Sequence, residues 1–269
     1  MQPQPKKFLF KSAVFCLVAT LSSFCASEDA TTTESYSCLT SSFASGTPTW
    51  ISDNFSCVQV SVSGSNLVIK SNGMPPYSSG YYPSTSTNYT SMPSGRNANP
   101  NTISTSRTYT MTVPTSPTAN CSSTSVTSSL GEQGILTNGV IVYNNAAAPG
   151  DTLSSEVVTF DGGDAHPDSS SIYHNHTQPT NITSNTGKII GIAIDGLPIL
   201  DKLELDGSTP TGLSSGDNQI THGHSHALSG GGKNYGTMSH YHILNDTTAG
   251  IDTILGSKLC ATKGSLTKS

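Results

Sequence analysis

Val58-Gln59-Val60-Ser61-Val62-Ser63 alternates apolar and polar residues without a break. Successive side chains of a β-strand point to opposite faces, so this run is a strand with one buried face. Leu67-Val68-Ile69 follows as a second strand and runs into Asn72-Gly73, a hairpin-type turn signal. Thr105 to Val113 alternates again and is ended by Pro114 and Pro117. Ile135 to Tyr143 carries Thr137-Asn138-Gly139-Val140, a second copy of the turn at Ser71-Asn72-Gly73-Met74, and Ile194-Asp195-Gly196-Leu197 is a third. Glu156 to Phe160 reads as a further strand. Only Ala249 to Leu259 offers a helical face, through Ile251, Ile254 and Leu255, and a strand fits that segment nearly as well. The expected class is mainly β, a sandwich or irregular barrel with long loops and little helix outside the N-terminal signal. Met74 to Asn101 has no period; its prolines and tyrosines predict an ordered loop packed by the tyrosine rings.

Composition agrees. Charged residues are 11% of the 269, too few to cover long surface helices, and Ser, Thr, Asn, Gly and Pro take their place. The formal net charge of −5 excludes a basic nucleic-acid surface, so no nucleic-acid partner is expected. Residues 1–25 resemble an export signal: Lys6, Lys7 and Lys11 precede the apolar run Ser12 to Phe24, which is too short to span a membrane. Leu21-Ser22-Ser23-Phe24-Cys25 resembles a relaxed bacterial lipobox, in which Cys25 would carry the lipid and provide the sole membrane attachment; ordinary cleavage after Ala26 or Ser27 is the alternative. The expected location is therefore outside the cytoplasm, as an outer-surface or periplasmic lipoprotein or a secreted protein. Residues 26–36 read as a polar, disordered tether. Residues 37–269 read as a single β domain, with a Ser/Thr-rich stretch near 116–131 where two halves would meet. Four cysteines remain beyond the signal: Cys38, Cys57, Cys121 and Cys260. In an exported chain they imply two disulfides with three possible connectivities; the local pair Cys38–Cys57 together with Cys121–Cys260 is preferred.

All eight histidines fall between His166 and His242. They stand as His166, Tyr173-His174-Asn175-His176, His222-Gly223-His224-Ser225-His226 and His240-Tyr241-His242. At a spacing of two on a strand, both rings of a pair leave the same face, a natural two-nitrogen clamp for a metal. The expected ligands are His166, His174, His176, His224, His226, His240 and His242, with Asp195 as an acidic ligand or an outer partner that fixes a ring. Asp161, Asp164 and Asp168 flank His166 and are further candidates for those roles. Asp195-Gly196 has an equally good reading as a plain turn. Imidazole suits several metals; export to an oxidising place without free thiolate favours Cu(II) or Zn(II). Eight rings exceed one mononuclear site, so two metals, or one metal with histidine acid–base groups, are expected.

Residues 66–262 resemble the YHYH-domain family of exported proteins. The resemblance is carried by Ser71-Asn72-Gly73-Met74-Pro75, Thr137-Asn138-Gly139-Val140, Asp164-Ala165-His166-Pro167-Asp168 leading into Tyr173-His174-Asn175-His176, Ile190 to Ile199, His222 to His226, and Ser239-His240-Tyr241-His242. Asn175 and Ser239 stand where the family motifs carry tyrosine, and His222 stands where Asn is usual, which makes it the weakest ligand. The resemblance implies the location of the site and supplies no reaction. Three functions compete: a surface or periplasmic Cu- or Zn-binding protein, a metal-dependent hydrolytic or oxidative enzyme, and a β-rich adhesion module whose histidines only hydrogen-bond within the fold. No catalytic residue is singled out.

Overall fold

The computed structural model describes residues 36–183, 185–213 and 220–269. The export signal, the lipobox with Cys25 and nearly all of the tether lie outside the described residues. Thr33–Ser269 forms one compact unit.

Two larger sheets make up the architecture, neither closed into a barrel among the described residues. The first has five strands in the order β1 (Ser42–Phe43), β2 (Gln59–Ser63), β3 (Asn66–Ser71), β4 (Tyr109–Pro114) and β15 (Ser265–Lys268). The alternating runs do what their pattern dictates. Val60, Leu67, Ile69, Tyr109, Met111 and Val113 are buried, and burial of each apolar side chain contributes roughly 1.5–3 kcal/mol. The β2–β3 hairpin turns at Gly64-Ser65. Asn72-Gly73, expected to close a hairpin, instead leads the chain off the sheet: the next partner of β3 is β4, and the intervening loop is packed by Tyr77, Tyr81 and Tyr82.

The second sheet has eight strands in the order β11 (Gly223–Gly230), β12 (Lys233–His242), β10 (Pro198–Leu200), β9 (Ile189–Ala193), β5 (Gly134–Leu136), β6 (Ile141–Val142), β8 (Tyr173–Asn175) and β7 (Ala165–Pro167). Strand β9, Ile189-Ile190-Gly191-Ile192-Ala193, is buried along its whole length, as a continuous apolar run in a central strand must be. The turn between β5 and β6 is set by Gly139 at φ +84, and that between β9 and β10 by Gly196 at φ +89. A third, two-stranded sheet pairs β13 (Leu244–Asp246) with β14 (Ile251–Thr253), so Ile251 takes the strand option while Ile254 and Leu255 follow it in a bend.

Of Glu156 to Phe160, expected as a strand, Glu156 to Thr159 is helical and only Phe160 is extended. Helix α1 (Thr49–Ser52) lies earlier in the chain, α2 (Leu153–Glu156) is capped by Thr152 and Ser155, and a 3₁₀ turn, Val157–Thr159, continues it. Backbone capping overrides the weak β preference of two valines. This segment packs on a small separate cluster of Leu153, Phe160 and Ala249.

The disulfides are Cys38–Cys57 and Cys121–Cys260. The second pins the Ser/Thr-rich stretch to the C-terminal stretch, with Asn120 N–H to Cys260 O at 2.7 Å and Leu259 N–H to Val126 O at 2.9 Å alongside it.

Candidate metal centres

The eight-stranded sheet gathers seven of the eight rings into two groups, each built on an antiparallel strand pair. In the first, hereafter centre A, His166 on β7 lies directly opposite His174 on β8, and His176 follows two residues on. In the second, centre B, His224 on β11 lies opposite His240 on β12, and His226 and His242 follow at the same spacing. Strand alternation sends the rings of each group to one face, as their spacing predicts. Five strand steps separate β8 from β12, ~24 Å measured along the sheet at about 4.8 Å per step, so these are two independent centres.

Hydrogen bonding fixes the tautomer of every gathered ring. A carbonyl oxygen only accepts, so a ring nitrogen facing one must carry the proton. Nδ1–H of His174 donates to Ile172 O at 2.9 Å and that of His176 to Asn144 O at 2.6 Å. In centre B, His224 donates to Thr211 O, His226 to Ala227 O, His240 to Met238 O and His242 to Asp201 O, all between 2.8 and 3.1 Å. His166 reaches the same state through Thr159. That hydroxyl spends its only hydrogen on Glu156 O, so its oxygen accepts from His166 Nδ1–H at 2.7 Å.

In neutral rings, every Nε2 is therefore a bare lone pair, and these lone pairs face one another. His174 Nε2 and His176 Nε2 are 3.0 Å apart, and His224 Nε2 and His240 Nε2 are 2.9 Å apart. Two lone pairs at that distance repel unless a cation sits between them. Two carboxylates sharpen the point. In centre B, Glu204 Oε1 is 3.0 Å from His224 Nε2, 3.1 Å from His226 and 3.2 Å from His242, while Oε2 is 3.4 Å from His240. In centre A, Glu156 Oε2 stands 3.7 Å from His166 Nε2 and 3.8 Å from His176 Nε2. The ligand atoms of His166, His174 and His176, and those of Glu204, His224, His226 and His240, each lie within 4.8 Å of one another. Fixed tautomers, converging Nε2 atoms and an anchoring outer contact on each Nδ1 are what a histidine metal site requires.

A proton is a poor substitute for the metal in centre A. Burial holds the His174 imidazole well below its ordinary value, with His176 and His166 adding to the effect. Burial brings His176 down to about 4, against the hydrogen bond to Asn144, and His166 down to about 3, helped by His176. Burial raises the Glu156 carboxyl, only partly offset by the Ala148 N–H. In centre B burial also lifts Glu204, but contacts with His224, His240 and His242, in the state where these rings carry a proton on Nε2, outweigh it and hold the carboxyl well below its usual range.

A pH prediction follows for the metal-free protein. Native pKa values below the unfolded value of about 6.5 mean that the unfolded chain takes up protons first. The stability contribution is complete above pH about 6.5 and is lost as pH falls toward about 4 for His176 and about 3 for His166. The loss is on the order of 3 kcal/mol for His176 alone. Urea midpoints measured across pH 3 to 8 in the presence of a chelator check this; a midpoint unchanged between pH 7 and pH 4 contradicts it.

The four expected acids lie elsewhere; Asp164 pairs with Arg96 at 2.7 Å. Asp195 is fully buried and accepts from Tyr241 Oη at 2.5 Å, Ala261 N–H at 3.0 Å and Leu197 N–H at 3.3 Å, so it belongs to neither ring group. It holds the face of β12 opposite to the histidines. Asp161 does the same behind centre A: it accepts from Ser79 and from Tyr173 Oη. Asp168 accepts from Tyr143, whose ring stacks on His174 at 3.7 Å. His222, at φ +65, is outside both groups, with Nε2 3.5 Å from Asp246. The residues that sequence reasoning missed are Glu156 and Glu204. Glu204 lies 20 residues before His224 and Glu156 ten before His166, and neither has a motif that marks it.

The Cys121–Cys260 disulfide lies directly behind Gly223, the residue before His224. A methyl group there would stand 2.5 Å from Cys260 Sγ and 2.9 Å from Cys121 Sγ. Gly223→Ala is expected to cost about 1–3 kcal/mol and to weaken centre B, because the strand must shift to make room. Urea unfolding and a metal titration of the variant check both effects.

Residues 110–260 match the family model described as YHYH protein, a match that takes in all eight histidines and both centres. No curated protein and no solved structure matches the chain. With more than half of its length under that model, the chain belongs to the YHYH protein family.

Proposed function

We propose that this protein is an exported metal-binding protein that holds one Cu or Zn ion at each of two histidine centres. The observation that carries the reading is the Nε2 convergence: seven rings, each with its Nδ1 proton tied up in a hydrogen bond, aim bare lone pairs at two points beside two carboxylates. The donor set is imidazole with carboxylate and no thiolate, since all four cysteines beyond the signal are paired. That set suits Zn(II) or Cu(II). Centre A would use His166, His174 and His176, and centre B His224, His226, His240, His242 and Glu204. A bound ion would neutralise the facing lone pairs and tie the paired strands of each centre together. The disulfides fit an oxidising compartment, and the N-terminal pattern with Cys25 supports export and a lipid anchor. Asp195 serves as the buried support of Tyr241 rather than as a ligand.

The experiment is elemental analysis of untagged full-length protein purified from its own compartment. Two equivalents of Cu or Zn are expected, falling toward none after chelation and returning on reloading. Protein that carries no metal and takes up none from micromolar Cu(II) or Zn(II) would leave the rings as an internal hydrogen-bond network.

A further inference from the structure

The two centres are not equivalent, and the difference assigns them different work. Centre B surrounds its focus with four rings and a carboxylate in direct contact. A tetrahedral ion with metal–ligand bonds of about 2.0–2.1 Å places neighbouring ligand atoms about 3.3–3.4 Å apart. The Glu204 contacts, 3.0 to 3.4 Å, lie at or slightly below that separation, as expected where five donors crowd one ion. Centre A has only three rings, all from one face of the β7–β8 pair, and its carboxylate stands off at 3.7 and 3.8 Å. Glu156 Oε2 is buried and has no hydrogen-bond partner among the described residues. The Nε2 atoms it faces, at 3.7 and 3.8 Å, carry no proton for it to accept, and it stands where a group bound to the metal would meet it.

What faces centre A is a cavity of about 460 Å³ that reaches His166, His174, His176 and Glu156. This is within the size range of small-molecule sites, which combine apolar walls with a few fixed polar groups. One wall is apolar: Tyr143, stacked on His174, with Ala146, Ala148 and Pro149. Leu130, 53% exposed, completes it. Asn99, Asn101, Asp151 and Asp168 line the rest of the cavity.

We infer that centre A keeps one metal position for an exogenous small organic ligand with a metal-binding heteroatom and an apolar body, and that Glu156 hydrogen-bonds that ligand instead of serving as a fourth metal ligand. The inference rests on the metal reading above. Centre B also borders a cavity, of about 850 Å³, lined by Glu204, His224 and His226. What separates the two is the donor count: four rings and a carboxylate fill the coordination of centre B, which makes centre A the working centre.

The test uses the full chain loaded with Co(II), whose visible absorption reports coordination. A His224→Ala/His226→Ala/His240→Ala variant isolates centre A, since only His242 and Glu204 remain at centre B, and a His174→Ala/His176→Ala variant isolates centre B. Azide and 4-phenylimidazole are expected to shift the spectrum of the first variant and not of the second. If the first variant does not fold, wild-type protein with two equivalents gives the same shift on the centre A part of its signal. The apolar wall predicts that 4-phenylimidazole binds at least ~10-fold tighter than imidazole, and that Leu130→Ala narrows this ratio. Glu156→Gln is expected to retain Co(II) at centre A and to bind azide more tightly, because the anion no longer meets a carboxylate. Bound Co(II) whose spectrum neither probe moves would overturn the open position. Loss of Co(II) from Glu156→Gln would overturn the role of Glu156. A chain that binds no Co(II) at all would instead overturn the metal reading itself.

Discussion

Replacing His174 and His176 together by alanine is expected to remove one of the two metal equivalents and leave the other in place. Centre A would keep only His166 of its three rings, with Glu156 standing off. Loss of an outer hydrogen-bond partner alone costs a metal site about 10–100-fold in affinity, so loss of two direct ligands is expected to cost more than ~100-fold. Centre B is ~24 Å away along the sheet and shares no ligand with centre A, so its affinity is expected to hold within a few-fold. The same variant is also expected to lose part of the acid sensitivity of the metal-free protein, because it removes two of the buried rings that resist protonation. Isothermal titration with Zn(II) at pH 7, set beside urea midpoints at pH 4 and 7, reads both effects. Two equivalents still bound at wild-type affinity would remove these rings from the site.

The second large effect is expected from the disulfide behind centre B. Cys121 and Cys260 are 139 residues apart, and opening a loop of that length releases denatured-state entropy worth about 5 kcal/mol in the chain-entropy account. Cys38 and Cys57 are 19 apart, which gives about 3 kcal/mol. The Cys121→Ser/Cys260→Ser variant should therefore be the less stable of the two double variants. It should also be distinctive in function. Both sulfurs pack against Gly223, so their removal frees the strand that carries His224 and His226. Centre B is expected to weaken while centre A keeps its affinity. Urea unfolding with a chelator present separates the stability term from metal linkage, since a ligand that binds only the native state adds to apparent stability. Equal destabilisation by the two disulfide deletions, with both centres unaffected, would contradict this account.

Much of the fold was legible because it obeys a period of two. Val58, Val60, Leu67, Ile69, Met111 and Val113 all point inward as their alternation requires. The same arithmetic placed His174 with His176 and His240 with His242. It also made His166, His174 and His176, and the rings of β11 and β12, the natural ligand candidates. Two local signals misled. Asn72-Gly73 has hairpin chemistry, but the strand that pairs with β3 comes only at Tyr109, after a long loop; a turn signal says that the chain bends and not what it pairs with next. Glu156 to Phe160 contains two valines, yet Thr152 and Ser155 cap a helical turn that carries Glu156 over centre A.

The acids were the illegible part. Asp195 lies in a turn beside an apolar strand and has the look of a ligand, but its oxygens are taken by Tyr241 and two backbone N–H groups. Glu204 and Glu156 stand outside the histidine motifs and reach the rings only through tertiary structure. No spacing rule connects Glu204 with His224 and His240, because the strands that bring them together are set by pairing of β10 with β12. Side-chain chemistry chose the histidines; topology chose their carboxylates.

The measurement that tests the central claim most directly is anomalous diffraction at the metal edge from crystals of natively loaded protein. The account predicts two peaks. One lies about 2.0–2.2 Å from the Nε2 atoms of His166, His174 and His176. The other is at the same distance from Nε2 atoms of the His224, His226, His240 and His242 group and from Glu204. Well-ordered rings in these positions with no anomalous peak at either point would contradict it.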